Sequence, residues 1–407
     1  MVGNRARVAI PAISLALLYA GPAIAQDLGQ PADPRRTPGI WGSVDPKHAQ
    51  FLAANCRHPA ATIPPGSAPS APIAAASGTA PSGAAVTPGP PSARSGAPPA
   101  RPASPPVFED LAAREIPGVI AGGRHWKVVW EGPGNADGIV AFDDGSVWIA
   151  QEDKSQIVRV DKDGKGSVIY TDTYTGSALA ANSKGQVFVA ERALGNAVWM
   201  LRPQRRLFTD TLNGEPLDCA GRFINDIVAD GKGGLYMTMD GVYYANSKGV
   251  VTGPFGTIAG SGVQFTPNGL MLSPDERTFY ATGRVTGTAG GIYNAGLIAY
   301  DVQPDGSLRN ERQVAEICGD GLAVDAAGRI YCTLSRMPDP DDPSKTVAGI
   351  GVVSAAGQVL GMIPQPRPLD SVAFGGPDKG TLFAVASRPT QLLSIQMIAH
   401  GNRKRPK

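Results

Sequence analysis

The chain repeats one pattern of apolar and polar positions six times between residues 115 and 400. Each copy opens with a short apolar run that ends in a turn rich in Asp, Asn and Gly, and a second apolar run follows. The first runs with their turns span residues 138–145, 178–185, 226–233, 269–275, 321–328 and 371–378. The second runs span residues 147–150, 187–190, 235–238, 278–281, 330–333 and 382–385. Two apolar runs joined by such a turn are typical of a β-hairpin.

Further strand-like stretches, such as 156–160 and 297–301, extend each hairpin to a four-stranded unit. The period of about 47 residues is close to that of propeller blades. We therefore predict an all-β fold, a six-bladed β-propeller around a central channel, in a domain spanning residues 107–407. The pattern leaves open which terminus closes the ring. A β-sandwich is the structural alternative, but a sandwich does not require six copies of one pattern.

Large apolar side chains recur in the second runs. Five of them are predicted to pack as blade core and are given no role in a site: Trp148, Phe188, Tyr236, Tyr331 and Phe383.

The first 106 residues differ in character from the repeat. Residues 1–25 combine two early arginines, an apolar stretch and a small-residue cleavage site, which predicts a signal peptide. The apolar stretch is too short to span a bilayer, so we expect an exported protein, periplasmic or extracellular, with no transmembrane segment in the mature chain. Residues 26–58 are too few for a core of their own and could dock, pair through Cys56 or stay disordered. Residues 59–106 are rich in Pro, Ala and Ser and are predicted to be a disordered, extended linker.

Composition agrees with the β assignment, because 51 Gly and 37 Pro are more than helical bundles tolerate. The formal net charge of +2 provides no large basic field, so we expect no nucleic acid partner. The basic run at 403–407 is interpreted as a solvated tail.

The four cysteines permit three full disulfide pairings. The pairing of Cys318 with Cys332 is disfavoured, because a hairpin turn at 326–328 would place Leu322 opposite Cys332.

In a propeller, the residue before each innermost strand lies at one shared mouth of the channel. In this chain those residues are Asp137, Ser177, Asn225, Asn268, Asp320 and Asp370. Asp and Asn are also common turn residues, but carboxylates crowded at one mouth repel, by roughly 3 kcal/mol for a pair at about 5 Å. A raised carboxylate pKa, an arginine or a bound divalent cation would offset this repulsion. Ca²⁺ suits an all-oxygen set best, Mg²⁺ or Mn²⁺ come next, and Zn²⁺ is the least suited.

Four of these stretches resemble the motifs of a known family. Residues 225–230, 267–275 and 319–325 look like the three recurrent signatures of the gluconolactonase and senescence marker protein (regucalcin) family. Residues 364–378 are similar to that family's closing motif. The resemblance implies a six-bladed propeller that holds a divalent cation at the channel mouth and hydrolyses a sugar lactone, a small-molecule substrate.

The family's metal ligands fall on four residues of this chain: Asp137, Asn225, Asn268 and Asp320. Asp137 departs from the family pattern, which has Glu, and Glu131 lies too early for the hairpin turn at 143–145. Asp320 is the family's candidate general base. The chain also has Thr282 where the family often has Asp.

Two further residues are candidate substrate-binding groups. Arg222 could steer a hydroxylated or anionic substrate and Asp370 could bond a sugar hydroxyl, although each could equally be a surface or turn residue. The interpretation is therefore a divalent-metal-dependent lactonase that opens a sugar lactone or related cyclic ester. Two alternatives stay open: a non-catalytic exported propeller that binds a ligand or protein partner, and a metal-dependent hydrolase of phosphotriesters or a related ester.

Overall fold

The computed structural model describes residues 46–57, 111–192, 195–220, 223–256, 264–286, 292–338, 346–387 and 389–403. The predicted signal peptide, the linker at 59–106 and Arg222 lie outside these ranges. The described residues contain one α-helix, α1 (Pro46–Asn55). No helix within them is long and apolar enough to cross a membrane.

The strands are short and follow one another as antiparallel meanders. An initial strand, β1 (Lys127–Gly132), precedes the first blade. Blade 1 comprises β2 (Ile139–Ala141), β3 (Val147–Gln151), β4 (Gln156–Val160) and β5 (Gly166–Tyr170). Blade 2 comprises β6 (Gly176–Ala181), β7 (Val187–Glu191), β8 (Ala197–Arg202) and β9 (Arg206–Thr209). Two short strands, β10 (Thr211–Leu212) and β11 (Glu215–Pro216), then pair to form a two-stranded ribbon.

Blade 3 comprises β12 (Ile227–Ala229), β13 (Leu235–Thr238), β14 (Val242–Ala245) and β15 (Val251–Phe255). Blade 4 comprises β16 (Gln264–Leu272), β17 (Thr278–Thr286), β18 (Ile292–Val302) and β19 (Leu308–Ala315). Blade 5 comprises β20 (Leu322–Val324), β21 (Ile330–Pro338), β22 (Thr346–Val353) and β23 (Val359–Gln365). Blade 6 contains β24 (Ser371–Gly375), β25 (Thr381–Ala386) and β26 (Thr390–Gln396).

The fourth strand of blade 6 comes from the other end of the domain. Strand β1 pairs antiparallel with β26, with Lys127 opposite Ser394 and Gly132 opposite Thr390. Each inner strand contacts the next, and β24 contacts β2. The ring is therefore closed by the N-terminal strand, and the predicted six-bladed propeller is confirmed.

The hydrophobic core lies between the blades. The five large side chains of the second runs are buried, as predicted. The rings of Tyr236 and Phe279 lie 5.0 Å apart between blades 3 and 4, and those of Tyr331 and Phe374 lie 4.9 Å apart between blades 5 and 6. Such pairs join neighbouring sheets through apolar area and favourable ring geometry.

The cysteines form two disulfides, Cys56–Cys219 and Cys318–Cys332. The prediction against the second bond is wrong, although Leu322 does lie opposite Cys332. The chain before β20 turns across β21 and does not extend the hairpin: Cys318 has a φ of 111°. Its Cα consequently lies 5.2 Å from that of Cys332, within the usual disulfide range.

The Cys56–Cys219 bond docks α1 on the propeller. Leu52 of the helix is buried, and Arg57 Nε lies 3.4 Å from Glu215 Oε1. Residues 46–57 are thus attached to the short 3₁₀ turn Leu217–Ala220, between blades 2 and 3.

Ring closure depends on the side chain of Trp130 in β1, which packs against the core shared by blades 1 and 6. Its ring leaves no room for a side chain at Gly132 or Gly166. We expect Trp130→Ala to lower the free energy of unfolding by about 2–4 kcal/mol, measured by denaturant titration. Val128→Ala, on the same strand but 54% exposed, is the matched control and should change it by less than about 0.5 kcal/mol. Equal effects of the two substitutions would contradict this role of Trp130.

Candidate active site at the channel mouth

The inner strands approach one another closely where the site residues lie. Glycine directly follows three of them, in the pairs Asp137-Gly138, Asn268-Gly269 and Asp320-Gly321. A Cβ on Gly321 would lie 2.6 Å from Asp370 O, and one on Gly138 would lie 2.6 Å from Ser177 O. In place of a side-chain contact, Gly321 N donates a hydrogen bond to Asp370 O over 2.9 Å. The backbone of each blade is thus fixed against the next at the mouth.

Hydroxyl groups on the second strands, or just after them, reinforce this ring. Thr238 Oγ1 donates to Asn268 O over 2.7 Å, and Thr282 Oγ1 donates to Asp320 O over 2.9 Å. Ser387 Oγ likewise donates to Ala136 O, across the junction of blades 6 and 1. A hydroxyl of one blade therefore holds the backbone at the site position of the next.

The guanidinium of Arg192 connects several of the mouth residues. Its Nη2 lies 3.0 Å from Asp137 Oδ2 and 3.1 Å from Asn225 Oδ1. Its Nη1 lies 2.7 Å from Glu152 Oε1, and its Nε donates to Ile224 O over 2.8 Å. The Arg192 side chain is only 3% exposed. A buried guanidinium thus binds two of the four predicted metal ligands.

The remaining predicted ligands lie next to this group. Asn225 Nδ2 donates to Asn268 Oδ1. Burial raises the pKa of Asp320 well above its usual value, and the neighbouring carboxylates of Asp137 and Asp370 raise it further. The structure therefore brings Asp137, Asn225, Asn268 and Asp320 to one mouth.

The crowded carboxylates resist ionisation. Burial raises the pKa of Asp137 to about 7, against the opposing effect of Arg192. Burial also raises the pKa of Glu152, again with Arg192 acting in the opposite direction. Two of the three predicted responses to carboxylate repulsion, raised pKa values and an arginine, are thus present.

The donor chemistry of the mouth fits a hard divalent cation. Among the described residues, no three His, Cys, Asp or Glu side chains converge to hold an ion by themselves. A cation here would need the amide oxygens of Asn225 and Asn268 beside the carboxylates of Asp137 and Asp320. Two carboxylates and two amides are the type of oxygen set that Ca²⁺ accepts.

Asp370 and Glu131 are the two other acidic residues that the sequence analysis discussed. Asp370 is half-buried beside Gly321. Glu131 lies in β1, the outer strand of blade 6, where it accepts a hydrogen bond from Gln391. This placement supports the choice of Asp137 over Glu131 for the mouth.

Sequence reasoning missed Arg192 and Glu152. Both directly follow the second strand of a blade, β7 and β3 respectively. Because the two strands of a hairpin are antiparallel, the end of the second strand lies at the same mouth as the start of the first. This register could have found both residues.

A β-propeller with a ring of Asp and Asn oxygens at its channel mouth defines the class of this protein. The sequence profile of the SMP-30/Gluconolactonase/LRE-like region matches residues 166–388, more than half of the chain. The chain therefore belongs to that family. No curated protein matches the sequence closely enough to count as a relative.

Solved structures share the fold at low sequence identity. A gluconolactonase from Xanthomonas campestris is 19% identical with a TM-score of 0.57, over 73% of this chain and 99% of that chain. A calcium-binding protein, regucalcin, from Agrobacterium tumefaciens is 18% identical with a TM-score of 0.50, over 69% and 95%. A luciferin-regenerating enzyme is 15% identical with a TM-score of 0.51, over 69% and 97%.

The close approach of the inner strands makes Gly321 a sensitive position. We expect Gly321→Ala to displace the backbone of Asp320 or Asp370 and to destabilise the protein by about 1–3 kcal/mol, measured by thermal or denaturant unfolding. Gly122→Ala is the matched control, because its Cβ would lie 3.5 Å from the nearest atom, Glu115 N. Comparable stability of both variants would show that the mouth tolerates a wider spacing.

Proposed function

We propose that the protein is a divalent-metal-dependent hydrolase that opens a sugar lactone or a related cyclic ester at the channel mouth. The observation that carries this proposal is the ring of carboxylate and amide oxygens in a propeller of the SMP-30/Gluconolactonase/LRE-like family. The likeness to a gluconolactonase supports the same reaction class. The substrate would be a small molecule that enters the channel from this side.

Four side chains would hold the cation. Asp137 and Asp320 would supply negative charge, and Asn225 and Asn268 would supply neutral oxygens. Ca²⁺ is the favoured ion, and Mg²⁺, Mn²⁺ and Zn²⁺ are the other candidates. When bound, such a cation supplies Lewis acidity toward a carbonyl oxygen.

Asp320 is the candidate general base. Its carboxylate can accept the proton of a water molecule that attacks the substrate. The hydrogen bond from Thr282 Oγ1 to the backbone of Asp320 fixes the position from which that carboxylate projects. Asp320 is thus the one residue proposed to act both as ligand and as base.

Substrate hydroxyl groups would be bound at the periphery of the oxygen ring. Asp370 lies one blade beyond Asp320 and can accept a hydrogen bond from a sugar hydroxyl. Arg222, placed by sequence just ahead of Asn225, is the second candidate.

Export to the periplasm or the exterior is part of the proposal. Residues 1–25 support it by sequence, and the pairing of all four cysteines suits an oxidising compartment.

The test combines Ca²⁺ calorimetry with gluconolactone hydrolysis on the metal-stripped protein. We expect wild type to bind Ca²⁺ and to turn over the lactone, and Asp320→Ala to lose measurable binding and about 10²–10⁴-fold in rate. Asp163→Ala is the matched control, because Asp163 is an exposed carboxylate in a hairpin turn of blade 1. It should leave both measurements unchanged.

Each alternative has its own outcome in that test. Ca²⁺ binding without lactone turnover keeps the metal site and points to another ester, which a phosphotriester assay would detect. A wild type that binds neither Ca²⁺ nor Mg²⁺, Mn²⁺ or Zn²⁺ would overturn the hydrolase and favour a non-catalytic binding propeller.

A further inference from the structure

The buried guanidinium of Arg192 and a divalent cation would bind two of the same residues, Asp137 and Asn225. Arg192 Nη2 lies 3.0 Å from Asp137 Oδ2 and 3.1 Å from Asn225 Oδ1, and both residues are ligands in the proposed function. A cation that shares these two residues lies close to a fixed positive charge. Two positive charges at such a distance repel each other, and the repulsion is strongest where water is excluded.

Arg192 is held in place by contacts other than those to the ligands. Nη1 pairs with Glu152 Oε1 at 2.7 Å, and both side chains are 3% exposed. Glu152 in turn accepts a hydrogen bond from Asn135 Nδ2. The face of the guanidinium lies over the ring of Phe223, 5.2 Å from its centroid.

The chain is anchored again at Gly195 and Asn196. Gly195 N and Asn196 N donate to the buried carboxylate of Asp218 over 3.1 and 2.9 Å. Asp218 belongs to the 3₁₀ turn that contains Cys219, the partner of Cys56. The contacts of Arg192 with Glu152 and Phe223 therefore hold its guanidinium in place at the mouth.

We infer that Arg192 is a built-in counter-cation that keeps the oxygen ring assembled without metal and competes with the divalent ion for Asp137 and Asn225. This inference rests on the proposed function and adds a property of the same site. Nη2 occupies one acceptor position on each of these residues and its charge opposes that of a bound ion, so the affinity of wild type for the ion is set below that of the oxygen ring alone.

The experiment measures Ca²⁺ binding by calorimetry on the metal-stripped full chain. The variant is Glu152→Gln with Arg192→Met, because removing Arg192 alone would leave the Glu152 carboxylate buried and charged. Glu152→Gln by itself is the reference. We expect the double variant to bind Ca²⁺ at least about tenfold more tightly than the reference, about 1.4 kcal/mol.

Arg159→Met is the matched control for net charge. Arg159 pairs with Asp144 in blade 1, with Nη2 and Oδ2 3.2 Å apart, a contact that does not involve the mouth residues. Its loss should change the affinity for Ca²⁺ by less than about twofold.

Thermal unfolding gives a second readout that does not depend on turnover. In EDTA the double variant should unfold at a lower temperature than Glu152→Gln, because the carboxylates have lost their counter-charge. Saturating Ca²⁺ should remove that difference in unfolding temperature.

If the double variant does not fold, Arg192→Lys replaces it, since a single ammonium cannot reproduce the forked contacts of the guanidinium. Arg192→Lys should also bind Ca²⁺ more tightly than wild type.

The outcomes separate this inference from the proposed function. Ca²⁺ affinity that is equal or lower without Arg192 overturns the competition and leaves the metal-dependent hydrolase intact. Binding by the double variant alone supports the competition and overturns a metal-dependent wild type. Absence of binding in both proteins overturns both statements.

Discussion

The close contact of the inner strands at the channel mouth is the constraint on which the site depends. Glycine follows Asp137, Asn268 and Asp320 because the backbone of the next blade occupies the space of a Cβ. The site side chains therefore project from a ring of fixed circumference, and their carboxylates cannot separate to relieve their repulsion. The relief has to come from protonation, from a cation or from both.

Two forms of relief coexist in the described structure, and they are linked. Arg192 offers its hydrogen bonds to Asp137, Asn225 and Glu152, and it works against the effect of burial on the pKa of Asp137. If a metal ion alone held the mouth together, the carboxylates would repel one another when the ion left. We infer that a mouth with its own guanidinium stays assembled when the ion is absent and attracts the ion more weakly.

The fold was more predictable from the sequence than the site. Turn residues and apolar runs recur with one period, so they predicted the number of blades and the positions before the inner strands. Closure by β1 was not predictable, because Lys127–Gly132 carries no turn signal that marks it as the partner of β26. Arg192 was missed because a lone Arg after a strand resembles an ordinary surface residue until the antiparallel register places it at the mouth. The Cys318–Cys332 bond was wrongly disfavoured, since the positive φ of Cys318 is a tertiary feature.

The Cys56–Cys219 disulfide joins the docked N-terminal segment to the chain between blades 2 and 3. Cys56 and Cys219 are 163 residues apart in sequence, so their bond restricts the unfolded chain far more than a local crosslink would. Its folded-state effect is local: the bond anchors the 3₁₀ turn whose Asp218 accepts hydrogen bonds from the backbone amides of Gly195 and Asn196. Arg192, three residues before Gly195 in the sequence, in turn contacts Asp137 and Asn225. The described part of the N-terminal segment, residues 46–57, is thus bonded to the same 3₁₀ turn that fixes the backbone at Gly195 and Asn196, on the chain that enters β8 of blade 2.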